Sequence, residues 1–276
     1  MKKIMLAAAA LAAGIAFGDG SIESANVVGY NTVTIYPGWN MFSVNFKDPS
    51  NENGIALGNL FPGQAMATAG AATGGNATTA DSIQVYDAAQ SKYSDTYILY
   101  YTSKGSNTSR NYKWLKGSTV SDEVRFTNGQ AFWYKSLASE PFTATVSGEV
   151  DLSSSKTVTI LPGWNMIGNP YAGNFNPNAL GTEYWKTQID AGGAAAGGNA
   201  TTADSIQIYD ASAGKYSDTY VLYYTSKGSN TTRNYKWIKG STVPDGSAEF
   251  LSIGKGTWYK CLGNGFTLTI PRPYSL

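Results

Sequence analysis

Residues Gly74–Val120 read GGNATTADSIQVYDAAQSKYSDTYILYYTSKGSNTSRNYKWLKGSTV, and the same 47 residues return at Gly197–Val243, 123 positions later, with seven changes. Inside this block the hydropathy period is two. Ser82 to Tyr86 alternates, Asp87 to Ser91 is turn-like, and Lys92 to Thr102 sets Tyr93, Tyr97, Leu99 and Tyr101 on one face with Ile98 and Tyr100 on the other. Aromatic and β-branched enrichment at that period indicates strand rather than helix. Tyr112 to Lys116 is expected to pair with the long strand across the polar run Thr102 to Asn111. Three of the seven changes, Val85/Ile208, Ile98/Val221 and Leu115/Ile238, keep an apolar side chain of similar bulk, as packing demands.

The repetition extends outward from the block. Thr32–Met41 (TVTIYPGWNM) returns as Thr157–Met166 (TVTILPGWNM), and Gly129–Ser136 (GQAFWYKS) aligns with Gly254–Cys261 (GKGTWYKC), both 125 positions on. Solenoid repeats run about 20 to 50 residues. A period this long therefore indicates two tandem modules, each large enough for its own core. Pro37-Gly38 and Pro162-Gly163 break alternating runs and suit type II turns. Phe142 to Gly148 and Phe266 to Ile270 supply closing strands, and the junction falls near Glu149 to Lys156. The intervals Lys47 to Thr73 and Ala172 to Ala196 differ most between copies; in the second, Asn176-Pro177 marks a helix start and predicts a short helix over Asn178 to Ile189. The expected fold is all-β: two antiparallel sandwich or barrel-like domains over 32–150 and 151–276, preceded by a lead-in at 19–31 that serves as an edge strand or tether.

Residues 1–18 read as an export signal, with Lys2-Lys3 before an apolar run from Ile4 to Phe17 and a small-x-small site at Ala16-Phe17-Gly18. The run is shorter than the roughly 20 residues a bilayer-spanning helix needs, so no transmembrane span is expected in the mature chain. Whole, the chain carries 20 basic and 19 acidic residues; loss of Lys2 and Lys3 leaves 18 against 19, or −1. That near-neutrality disfavours nucleic acid as a partner. Charged residues make up only 14% of the chain, and the surface is expected to be hydrogen-bonding rather than ionic. Extracellular polysaccharide, another surface protein or a second copy of the chain suit such a surface. No anchor is recognisable after the second copy, so attachment is expected to be noncovalent, through another protein, or absent.

The PGWNM strings, the IQVYD and IQIYD strands and the later G-x-x-x-W-Y element together resemble a β-rich module of secreted and cell-surface bacterial proteins. The resemblance covers nearly all of the mature chain, twice. It implies a surface-associated, non-catalytic module and carries no ligand or active residues with it. The copies part at Val44-Asn45-Phe46, where the second has Asn169-Pro170-Tyr171.

Catalytic chemistry finds little to use. There is no histidine and one cysteine, Cys261, which excludes Ser-His-Asp and Cys-His catalysis, ordinary zinc or copper sites and an intramolecular disulfide. Cys261 is expected to be a buried apolar group rather than an intermolecular bridge. No cofactor is expected. The carboxylates common to both copies, Asp81/Asp204, Asp87/Asp210 and Asp95/Asp218, are what a glycosidase would have to use. Asp87 and Asp210 fit turn duty, and Asp81 and Asp204 are weak calcium candidates. Trp39, Trp133, Trp164 and Trp258 read as core. A glycan platform, if present, is expected at Tyr112, Trp114 and Arg110 with Tyr235, Trp237 and Arg233, where flat rings alternate beside hydrogen-bond donors. Asn76, Asn107, Asn199 and Asn230 match the minimal glycosylation sequon but are read as polar loops.

Overall fold

The computed structural model describes residues 27–102, 110–225, 233–244 and 250–275. The export signal, most of the lead-in and the fixed polar loops with Asn107 and Asn230 lie outside the described residues. The fold is all-β with short helices, and every strand ladder among the described residues is antiparallel.

Seven longer strands run through the first half, β1 (Val28–Ile35), β2 (Gly38–Ser43), β3 (Ser82–Asp87), β4 (Lys92–Thr102), β5 (Asn111–Lys116), β6 (Ala131–Ser136) and β7 (Phe142–Glu149), beside three two-residue strands at Ile55–Ala56, Thr119–Val120 and Arg125–Phe126. Seven build the second: β8 (Ser155–Ile160), β9 (Gly163–Gly168), β10 (Ser205–Asp210), β11 (Lys215–Thr225), β12 (Asn234–Ile238), β13 (Gly256–Cys261) and β14 (Phe266–Pro271). Each half holds one large sheet, ordered β2-β6-β3-β4-β5 and β9-β13-β10-β11-β12, and one two-stranded ribbon, β1-β7 or β8-β14; in the first half the short strand Thr119–Val120 adds a sixth strand to the sheet beyond β5, and Ile55–Ala56 pairs with Arg125–Phe126. The lead-in joins the ribbon from Val28, which pairs with Glu149.

The tight turns form as their sequence requires. Gly38 and Gly163 sit at φ of 89° and 88°, where a side chain would be strained. The asparagine of each PGWN string then clamps the turn from inside: Asn40 Oδ1 accepts from the Tyr36 N–H at 2.9 Å while its Nδ2 donates to the Tyr36 carbonyl at 2.8 Å. Asn165 repeats this on Leu161 at 2.8 and 2.7 Å.

Alternation sorts each sheet into two faces. In the first half Phe42, Ile83, Leu99, Phe132 and Tyr134 turn toward the ribbon residues Ile35, Phe142, Ala144 and Val146 and form one hydrophobic cluster. Ile206, Leu222, Tyr259, Ile160, Leu268 and Ile270 do the same in the second. The opposite sheet faces form a third, shared cluster of Met41, Trp133 and Trp258 with Trp39, Tyr86, Trp164, Met166 and Tyr209 at its margin. The tryptophans expected inside each module therefore lie between the halves, because parity sets Trp133 opposite its neighbours Phe132 and Tyr134.

Helices cover β5 in the first half and β12 in the second. The second half has a 3-10 turn at Pro177–Leu180, capped by Asn176 accepting from the Asn178 N–H, running into a helix at Gly181–Asp190. The first half places Leu57–Leu60 and Gly63–Ala69 at the corresponding position, helices that its sequence pattern did not announce. No helix among the described residues is long and apolar enough to cross a membrane. The junction is held by the chain's end: the Tyr274 hydroxyl donates to the Asp151 carbonyl at 2.7 Å and Arg272 Nη1 to the Leu152 carbonyl at 2.6 Å.

Candidate functional site

The structure places the two central tryptophans of the expected glycan platform deep inside. Trp114 and Trp237 are each 0% exposed, so neither presents a ring face to a ligand. Their strand faces inward, where Trp114 packs on Tyr134 at 6.1 Å and donates from Nε1 to the Phe61 carbonyl at 2.7 Å. Trp237 packs edge-on to Trp185 at 5.4 Å and to Tyr259 at 5.6 Å. Tyr235 is buried and Tyr112 half-buried. Only the arginines stay fully outside: Arg110 lies 4.5 Å over the Tyr101 ring and Arg233 4.3 Å over Tyr224. The platform is thus reduced to an arginine on a tyrosine at the end of each long strand.

The shared carboxylates are occupied by the fold. Asp81 is fully buried, its Oδ2 accepting from the hydroxyls of Tyr134 (2.7 Å) and Ser136 (3.2 Å) and its Oδ1 from the Leu137 N–H (2.7 Å). Asp204 accepts from Tyr259 (2.8 Å), Leu262 N–H (2.8 Å) and Ala195 N–H (3.1 Å). Burial raises both carboxyls above their usual range against the pull of these hydrogen bonds. Neither belongs to a group of three or more His, Cys, Asp or Glu side chains among the described residues. Asp87 and Asp210 cap turns through the N–H groups of Ala89 and Ser212, each at 2.9 Å. Asp95 and Asp218 pair with Lys116 and Lys239. Cys261 is buried, donates to the Gly193 carbonyl at 3.3 Å and has its thiol pushed up to about 11 by burial, which withdraws it from any intermolecular bridge.

The open aromatic surface lies at the joint between the halves, and its geometry is reciprocal. Trp133 meets Tyr209 edge-on at 4.9 Å, and Tyr86 meets Trp258 at 4.8 Å. Trp39 stands 5.7 Å from Trp133, Trp164 5.8 Å from Trp258. Backbone bridges Phe42–Lys255 and Gln130–Ile167 exchange partners in the same way, as do the bonds from Ser43 N–H to the Gly254 carbonyl (3.0 Å) and from Gly168 N–H to the Gly129 carbonyl (2.9 Å). Positions offset by 123 or 125 thus contact each other's counterparts, the pattern of an isologous two-fold interface inside one chain.

A β-bulge shapes this surface. The β3-β4 register shifts between Val85 and Tyr86, so Tyr86 faces Tyr93 and Ser94 is passed over; β10-β11 shifts identically between Ile208 and Tyr209. The extra residue turns Tyr93 to the face opposite Tyr97, against strict alternation. Tyr97 enters the core, while Tyr93 meets Tyr86 at 5.5 Å and accepts from Trp133 Nε1 at 3.1 Å. The result is a cleft of about 300 Å³ lined by Trp39, Gln84, Tyr93, Trp133, Tyr209 and Tyr216. No protein-family model, curated protein or solved structure matches this chain.

The cleft escapes a reading of the sequence because half of its lining comes from residues whose direction depends on the bulge or on the other half. A usable signal does exist in Trp133 and Trp258, each flanked on both sides by residues of the opposite face.

Proposed function

We propose that the chain is an exported, non-catalytic surface protein that works by contact, structurally or adhesively, through its two repeats held together as one body. The observation that carries this reading is the employment of all six shared carboxylates in buried networks, turns or ion pairs. An acid and a base for glycosidic cleavage must stand about 5 to 9.5 Å apart across an open site, and Asp81 and Asp204 are sealed from solvent. The reciprocal joint adds support, since it turns two modules into a fixed platform.

Two measurements test the reading. Amino-terminal sequencing of protein recovered outside the cell should begin at Asp19, the residue after the expected cleavage. Purified mature protein should release no reducing ends from a broad panel of glycans. Turnover that vanishes in Asp95→Asn or Asp218→Asn would overturn the proposal in favour of a glycosidase.

A further inference from the structure

We infer that the cleft at the joint is a binding site for a neutral pyranose ring of a glycan, assembled by both repeats together. This inference rests on the contact reading and names the partner chemistry for it. Trp39, Gln84, Tyr93 and Trp133 come from the first half and Tyr209 and Tyr216 from the second, so neither repeat alone contains the site.

Three features select this occupant. First, the rings are held open. Tyr93 and Tyr216 remain 48% and 47% exposed although each is tied into an aromatic group, with Trp133 donating to Tyr93 and Trp258 bonded to Tyr216. The bulges that turn them outward interrupt the ladder in both halves, and such bulges re-aim side chains at sites of use. Second, the polar groups suit hydroxyls. The phenol oxygen of Tyr93 already accepts from the Trp133 indole, which directs its O–H hydrogen outward as a donor, and the Gln84 amide offers both a donor and an acceptor. Pyranose C–H faces lie on aromatic rings while their hydroxyls take directional hydrogen bonds, and aromatic walls with few polar groups are the usual makeup of ligand pockets. Third, none of the six lining residues carries a formal charge, which suits a neutral ligand rather than an anion or a metal ion. A cleft of about 300 Å³ is at the small end of ligand pockets, which matches one ring of a chain that continues past the rim.

The experiment is a titration of the full mature protein with neutral hexasaccharides of glucose, xylose and N-acetylglucosamine, read by calorimetry and by tryptophan fluorescence. Saturable binding to at least one is expected, with Trp39→Ala and Tyr216→Ala each weakening it by roughly tenfold or more. Tyr216 is half exposed, so its variant keeps the fold, checked by an unchanged melting profile. The conservative Trp39→Phe should restore part of the affinity. Absence of saturable binding across the three sugars, or equal affinity in Tyr216→Ala, overturns the assignment. A concentration-dependent dimer lost in Tyr216→Ala also overturns it, since a second copy would then cover the cleft. In each of these outcomes the contact reading stands as long as no turnover is seen; glycan cleavage would remove that reading instead.

Discussion

The two halves carry the same residues almost everywhere they build a sheet, yet they differ in size at the points where they touch. Ser43 in the first half corresponds to Gly168 in the second, and Ala131 corresponds to Gly256. A Cβ placed on Gly168 would overlap the Ser43 side chain, and one on Gly256 would stand 2.9 Å from Ala131 Cβ and 2.8 Å from the Phe42 carbonyl oxygen. Near an internal two-fold axis a residue meets its own counterpart, so two side chains compete for one space. Glycine on one side resolves the conflict, and the duplicated halves have become complementary rather than identical.

The sharpest way to break this arrangement is to restore the symmetry. Gly168→Ser should cost roughly 3 kcal/mol of stability or separate the halves, since overpacking a closed contact commonly costs about 1–3 kcal/mol even where neighbours can give way. Adding Ser43→Gly exchanges the two sides and should recover most of the loss, giving a large coupling energy in a double-mutant cycle of urea unfolding. If the two substitutions merely add, the close approach at the joint is not what fixes these residues.

The next largest effect compares the carboxylates that burial raises with those that hydrogen bonds and lysine or arginine partners lower. Asp81 and Asp204 have carboxyls raised above 3.8, chiefly by burial, so the folded state holds their protons more tightly than the unfolded chain does. The stability they contribute is complete below 3.8 and is lost as pH climbs through the raised values. Three others run the opposite way. Asp48 is lowered to about 2 by hydrogen bonds from Ser50 and then Arg125, and Asp210 is lowered by Ser212. For Asp151 burial pushes upward but is outweighed by hydrogen bonds from Lys156 and Ser153. Their contribution is present above 3.8 and fades as pH falls below it. Urea midpoints should therefore rise on acidification from about pH 7 to about pH 4 and fall beyond that. The Asp81→Asn/Asp204→Asn pair should flatten the first slope and leave the second. A midpoint that climbs from pH 4 to pH 7 would contradict the assignment.

A smaller effect separates the two central tryptophans. The Trp114 indole N–H has the Phe61 carbonyl, whereas Trp237 Nε1 has no hydrogen-bond partner among the described residues. Replacement by phenylalanine orphans a buried acceptor in the first half and relieves a buried donor in the second. Trp114→Phe should thus be more destabilising than Trp237→Phe by about 1–2 kcal/mol, measured by thermal unfolding of the two variants side by side. Equal losses would show that ring volume alone decides the cost.

These comparisons also mark what the sequence made legible. The Pro-Gly turns and the helix after Asn176 depend on torsions and caps of adjacent residues, and both are where the pattern puts them. The all-β class follows from a period of two that local chemistry enforces. Side-chain direction was harder to read. Tyr93 shares parity with Tyr97 in the sequence, and only the unpaired Ser94, which depends on register with the neighbouring strand, reverses it. Trp114 is buried because Phe61, 53 residues earlier, lies over its strand. The aromatic pairs at the joint link residues of different repeats, and no local pattern encodes which repeat covers which face.

The smallest expected difference is the one between Asp95 and Asp218, and its smallness is informative. Both pair with a lysine at or just past the end of the neighbouring strand, Lys116 and Lys239, whose side chains are equally exposed, and both stand beside a tyrosine that enters the core. Exposed pairs of this kind contribute little to stability and are screened by salt. Lys116→Ala and Lys239→Ala should therefore shift stability by the same small amount, and both shifts should shrink in 1 M salt, where screening reaches about 3 Å. A carboxylate held for catalysis would behave otherwise: removing its lysine would change a rate of turnover as well as stability. Matching, salt-sensitive and purely thermodynamic effects in the two halves mean that duplication preserved these pairs as part of the sheet. A loss confined to one half would instead single out that carboxylate for a role its twin does not share.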